Sequence, residues 1–319
     1  MSFKDIRGQD RAINILSGHI EHSRLAGTYL FIGPEGVGKK LAARTLAKAV
    51  NCLQGEPYSC DSCVSCAKIE NNQHPDVHII ASGDAEIKIE QVRQLQKAIS
   101  LRPYEGKKKV FIIDNAHRLT PEASNALLKI LEEPPGESLI ILISDKRALL
   151  LKTIISRCRI LRFSALGREQ LQEILKKEYK LDNNTAHYLA YSSEGSLGAA
   201  LGLKDTPIIV EKNRVIDKFL LSRQPGFDNL PMQNREQVRG YLNILAAWFR
   251  DMYLVKIGMP HSEIINFDRR DDLLKVMSHF SFLDLNEILD SIADSLLRLE
   301  QNINIRLLLS NLGGCLWRP

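Results

Sequence analysis

Residues 1–165 predict a doubly wound α/β domain, and the rest of the 319-residue chain predicts helices only. Three observations carry this expectation. Continuous apolar runs alternate with helical segments through the first half. A glycine-rich loop joins one such run to a helix. Beyond about residue 165, apolar residues recur only at helical spacing.

The runs at 28–32 (TYLFI), 77–81 (VHIIA), 110–113 (VFII) and 139–143 (LIILI) suit strands covered on both faces of a parallel sheet. Between them, Thr120-Pro121-Glu122 supplies an N-cap, a proline at the first helical position and an acid in the first turn. The helix it opens runs through ALLKILEE and stops against Pro134-Pro135. From Leu166 to about Leu203 the chain is small and helical, and the segment around Pro207 (KDTPIIVEK) reads as a connector. Tyr241, Ile244, Leu245, Trp248, Met252 and Val255 then form a helical stripe closed by Gly258 and Pro260. Leu285, Ile288, Leu289, Ile292, Leu296 and Leu299 form another. Both stripes are read as core.

Forty-three basic against 38 acidic residues give +5, a bias that permits contact with nucleic acid without arguing for it. No run approaches the roughly 20 apolar residues of a membrane span, and MSFKDIRGQD is too polar for a signal peptide, so a cytoplasmic chain with no membrane partner is expected. In that compartment six cysteines point away from structural disulfides. Cys52, Cys60, Cys63 and Cys66 lie in one short insert, and their two-residue gaps allow four thiolates to close a tetrahedral shell around structural zinc. An iron–sulfur cluster is the rival, but its proline-ended spacing is absent. Cys158 and Cys315 are isolated and read as small buried residues.

Gly33-Pro34-Glu35-Gly36-Val37-Gly38-Lys39-Lys40 follows an apolar run and precedes a helix, the context that a Walker A phosphate loop requires. Gly33, Gly36 and Gly38 let backbone amides close around phosphate oxygens, and Lys39 reaches the terminal phosphates. The next position should carry the hydroxyl that ligates magnesium, and here it is Lys40. At the end of the run 110–113 stands Asp114, placed to hold magnesium. It is followed by Asn115, where an active ATPase has a glutamate to orient water. Magnesium is therefore not expected, whereas ATP binding without hydrolysis stays open. Lys107-Lys108-Lys109 reads as a solvated run beside the strand, and His117 receives no catalytic role.

Arg7-Gly8-Gln9, the phosphate loop, the cysteine insert, Asp114-Asn115-Ala116-His117, NALLKILEEPP at 125–135 and Ser156-Arg157-Cys158 occur in that order. Together they resemble the clamp-loader branch of the AAA+ ATPases, specifically the bacterial DNA polymerase III family. The resemblance covers most of residues 1–205; beyond that it extends only to length and helical character. It implies an AAA+ domain with a zinc insert (1–165), a helical lid (166–206) and a helical collar for oligomerisation (207–319).

Within that family the chain resembles the motor subunit (gamma/tau) in its cysteine insert and SRC motif. It departs at Lys40, at Asn115 and at Gly198, where the motor has an arginine that touches nucleotide. The family context makes Arg157 an arginine finger acting in trans on a neighbour's γ-phosphate. The resemblance thus implies a non-hydrolysing stator, partnered by the motor subunit and the delta subunit, in a complex that loads the sliding clamp on primed DNA. The alternatives are an active gamma/tau-like ATPase and a zinc-dependent nucleic-acid-binding module.

Overall fold

The structure is a computed structural model that describes residues 2–54, 58–81, 83, 85–221, 234–260, 263–301, 304–305, 307–309 and 312. Cys315 lies outside the described residues. The chain packs as two compact units, Met1–Leu171 with Ser193–Ala199, and Gln172–Ser192 with Ala200–Pro319.

The first unit is a parallel sheet of five strands: β1 (Thr28–Ile32), β2 (Val77–Ile80), β3 (Lys109–Ile113), β4 (Ser138–Ser144) and β5 (Arg159–Arg162). Their order is β2-β3-β4-β1-β5, every pairing parallel. The four expected strands are present. β5 was not anticipated, because RILR carries a charge at each end and buries only Leu161 fully. Strand alternation divides the core between the two faces. Tyr29, Phe31, Val110, Ile112 and Ile141 pack with α1 (Asp10–Glu21) and α2 (Lys39–Asn51) on one face. Leu30, Phe111, Ile113, Ile140 and Leu142 pack on the other with α4 (Ile89–Ile99) and α5 (Pro121–Glu132), while α3 (Val64–Glu70) belongs to the cysteine insert. Thr120 caps α5 as its sequence predicts, its hydroxyl accepting from the Ala123 N–H at 3.2 Å.

Two sequence features close the sheet at β5. The Gln9 amide exchanges hydrogen bonds with the Ser164 backbone, donating at 2.7 Å and accepting at 3.0 Å. Gly8 has φ 68°, and a Cβ there would lie 2.1 Å from the tip of the Leu166 side chain, so this turn favours glycine. The Arg7-Gly8-Gln9 run is thus the clasp that ties the N-terminus to the end of β5. A short helix, α6 (Lys152–Ile155), leads from β4 toward that strand.

The second unit is helical among its described residues. Ile208–Val215, read from sequence as a connector, is a helix that starts at Pro207. The long helices Arg235–Lys256 and Phe282–Glu300 bury Tyr241, Leu245, Trp248, Leu285 and Ile288 against one another's surroundings, as the two stripes predict. Two buried charges are satisfied locally. Lys212 binds both oxygens of Asp268 at 2.6 and 2.7 Å, and Asp251 accepts from the Ile265 and Asn266 backbone and from the Asn266 amide.

Candidate nucleotide site, metal centre and arginine

The carboxyl ends of β1, β3 and β4 meet where a doubly wound sheet places its ligands. Gly36 and Gly38 adopt φ 72° and 98°, the turns a phosphate loop needs, and a Cβ at Gly33 would strike the Phe163 carbonyl at 2.2 Å. The loop geometry is therefore intact, and Lys39 folds back onto it. Lys39 is 7% exposed, and its ammonium donates to the Gly33 and Pro34 carbonyls at 2.6 and 2.5 Å. Burial lowers its pKa, against the pull of Asp145, Asp114 and Glu35. Lys40 pairs with Asp114 at 2.9 Å, so an ammonium neutralises the carboxylate that the sequence assigns to a metal ion. Asn115 takes φ 53°, a left-handed conformation that asparagine tolerates better than most residues.

The segment before residue 200 completes the enclosure. The Gly198 N–H donates to the Gly36 carbonyl at 2.9 Å, and the Ser196 hydroxyl donates to the Glu35 carbonyl at 2.8 Å. A Cβ on Gly198 would come within 2.8 Å of the Gly36 oxygen, so glycine at 198 permits this approach. Sequence reasoning marked Gly198 as a lost arginine and missed that it is also a packing requirement. Ser196 went unrecognised because its partner lies 161 residues away. Also missed was the pair at the end of β4, where His117 Nδ1 lies 3.0 Å from Asp145 and 3.3 Å from the Ser144 hydroxyl. Burial lowers the His117 pKa, with Asp145 opposing.

Cys52, Cys60, Cys63 and Cys66 come together as predicted, all four sulfurs within 4.8 Å of one another. Thiolates each roughly 2.3 Å from one zinc ion stand at comparable separations, so the group fits a metal ion of that kind. The Cys63 and Cys66 N–H groups donate to the sulfurs of Cys60 and Cys63 at 3.3 and 3.4 Å. Hydrogen bonds from Ser62, then from the Cys63 and Ser62 N–H groups, bring the Cys60 thiol down to about 6, toward the thiolate that binds metal. The insert is pinned to α2 by Lys48, whose buried ammonium meets Asp61 at 2.9 Å and also Glu70. His74 is buried with Nε2 3.6 Å from Glu105 and does not join the cysteine group.

Arg157 stands between α6 and β5 with its side chain 31% exposed. Its guanidinium grips Glu132 through Nε at 2.6 Å and also through Nη2, and Nη1 donates to the Thr153 carbonyl at 3.0 Å. Its backbone carbonyl accepts from the Thr28 hydroxyl at 2.9 Å. The side chain is thus held in a fixed pose at the surface by a residue of the NALLKILEEPP run. Cys158 beside it has its thiol pushed up to about 12 by burial.

The family described as "DNA polymerase III, delta subunit" matches residues 8–167, and its C-terminal counterpart matches residues 212–312. The DNA polymerase III subunit delta' of Bacillus subtilis is 30% identical over 318 residues, covering 95% of this chain and 94% of that protein. This chain belongs to the DNA polymerase III family of clamp-loader subunits. The tau subunit of Escherichia coli is 37% identical over 213 residues, but the clamp-loader chain described here spans only 33% of that protein. The gamma subunit-related protein of Thermotoga maritima aligns over 94% of this chain and 96% of that one at 19% identity. Its TM-score of 0.45 is too low to bear on function. As a clamp-loader subunit the chain has the AAA+ type of α/β domain, and no described helix is long and apolar enough to cross a membrane.

Proposed function

We infer that this chain is a delta-prime-type stator, a subunit that does not hydrolyse ATP and lends Arg157 to a neighbouring ATPase. The Lys40–Asp114 ion pair carries this reading. Hydrolysis in phosphate-loop enzymes needs a metal held by a hydroxyl and a carboxylate, and here an internal ammonium satisfies the carboxylate where the hydroxyl should be. Asn115 in place of a base and the hydrogen bonds from Ser196 and Gly198 to the loop agree with it. Gly33, Gly36, Gly38 and Lys39 then serve as a scaffold, and the four cysteines hold structural zinc that fixes the insert.

In this reading residues 166–206 form the lid and 207–319 the collar. The partners are the motor subunit (gamma/tau) and the delta subunit, and through them the sliding clamp and primed DNA. Arg157 supports the trans role because it is the guanidinium that Glu132 and Thr153 preset at the surface. Arginine fingers contribute on the order of 10³–10⁵ in rate elsewhere.

The test is ATP turnover by the chain alone and reconstituted with the motor and delta subunits. No turnover is expected alone, and the complex carrying Arg157→Ala should lose at least about tenfold of its stimulated rate. Steady magnesium-dependent phosphate release from the isolated chain would overturn the stator reading. An unchanged rate with Arg157→Ala would remove the arginine's role.

A further inference from the structure

β2 is the outer strand of the sheet, with no described strand beyond it. β3 and its flank donate from Val110 and Asp114 to the carbonyls of Asp76 and Ile80, at 2.8 and 2.9 Å. Alternation along the ladder therefore turns the peptide groups of Val77 and Ile79 outward. The Val77 N–H is taken up by the His74 carbonyl at 3.2 Å, so Ile79 is the residue whose N–H and C=O face the open edge. Proteins usually blunt an exposed edge with a charge, a proline or a bulge, and the strand itself, VHII, contains no charge or proline and pairs with β3 in unbroken register.

This edge opens into a cavity of about 860 Å³. α2 contributes Lys40 and Arg44 from one face of the sheet, and α4 contributes Gln91 and Gln94 from the other. Between them His78 lies stacked on Phe111, ring centroids 4.8 Å apart. Among the described residues, no carboxylate lines the cavity. Lys40 and Arg44 reach Asp114 and Glu70 outside it, at 2.9 and 3.7 Å, and half of the Lys40 side chain stays exposed.

We propose that this groove takes an extended, acid-bearing segment of a partner protein as an added strand on β2. Main-chain pairing comes from Ile79. Alternate side chains of the segment point to α2, where carboxylates meet Arg44, and the others point to the glutamines of α4. An edge with outward peptide groups and flanking half-buried Val77, Ile79 and Ile80 matches a polypeptide better than a phosphate backbone, which offers no alternating donors and acceptors. The proposal goes beyond the stator reading and does not depend on it.

The test is amide hydrogen exchange on the full chain with a short peptide alternating aspartate and valine. A peptide alternating lysine and valine, and single-stranded oligothymidylate, serve as comparison probes. The acidic peptide is expected to slow exchange at Ile79 by about tenfold at saturation, less so as salt rises. Ile79→Pro removes the outward donor while sparing the bonds to β3, and should abolish acidic-peptide binding, with a lower melting temperature because the Ile79 side chain packs against the core. Arg44→Gln, at a side chain 23% exposed beside Glu70, should remove the preference for the acidic peptide over the lysine peptide, and this holds as a readout even if the proline variant folds poorly. No slowing at Ile79, equal slowing by both peptides, or slowing by the oligonucleotide alone overturns the proposal.

Discussion

Asp76 shows how much a single carboxylate can organise. Its residue is fully buried, and its two oxygens accept from the Tyr104, Glu105 and Gly106 N–H groups at 2.7 to 2.8 Å. Burial by itself would raise its pKa, but these three donors outweigh it and hold the carboxyl below its ordinary value. The stabilisation is therefore full above the unfolded value, roughly pH 3.9, and is lost as pH falls through the lower folded value. Asp76→Asn is expected to cost about 1–3 kcal/mol at neutral pH. Denaturant titrations across acid pH should show a shallower decline for the variant than for the parent chain. Nothing in His74-Pro75-Asp76 announces this role, because its partners lie 28 to 30 residues along the chain. Lys40 and Asn115 are the opposite case. Each occupies a position whose chemistry the surrounding motif prescribes, so the loss is visible in the sequence. The salt bridge that Lys40 makes instead joins α2 to the end of β3, 74 residues along the chain by number, and has no local signal.

At the scale of the element, the cysteine insert is the part most exposed to a simple experiment. Elemental analysis of the purified chain should find one zinc per chain, and Cys63→Ser should remove it. Cys63 also caps α3 through its sulfur, so that variant loses a helix cap as well as a ligand. Chelation should lower the melting temperature of the parent chain and leave that of Cys63→Ser unchanged. At α5, Thr120→Ala should cost about 1 kcal/mol in chemical denaturation, the ordinary worth of an N-cap. Elements of this kind were readable because their signals are local: cap, proline, apolar run and stop. β5 was not readable, since an edge strand with outward arginines lacks the continuous apolar run of its neighbours. The helix Ile208–Val215 was hidden by Pro207, which marks a helix start as readily as a connector.

For the molecule as a whole, apolar runs foretold a parallel sheet but could not order it. The sequence β2-β3-β4-β1-β5 follows from crossovers whose partners are distant in the chain, and periodicity carries no record of them. In the helical unit the reverse holds, because each stripe specified its own buried face, and Trp248 is fully buried among these residues. Trp248→Ala should destabilise that unit by about 3–5 kcal/mol, seen as an earlier transition in denaturant. The phosphate loop with Lys39 folded back onto it has a wider consequence. A protein that binds a ligand only when folded gains stability by mass action as that ligand accumulates, about 2.7 kcal/mol at a hundredfold excess over the dissociation constant. With Lys39 turned onto Gly33 and Pro34, and Lys40 onto Asp114, this chain has given those positions to itself. If Lys39 and Lys40 keep these partners, its melting temperature should stay level as ATP is raised to millimolar concentration, and its fold would then be indifferent to the energy state of the cell.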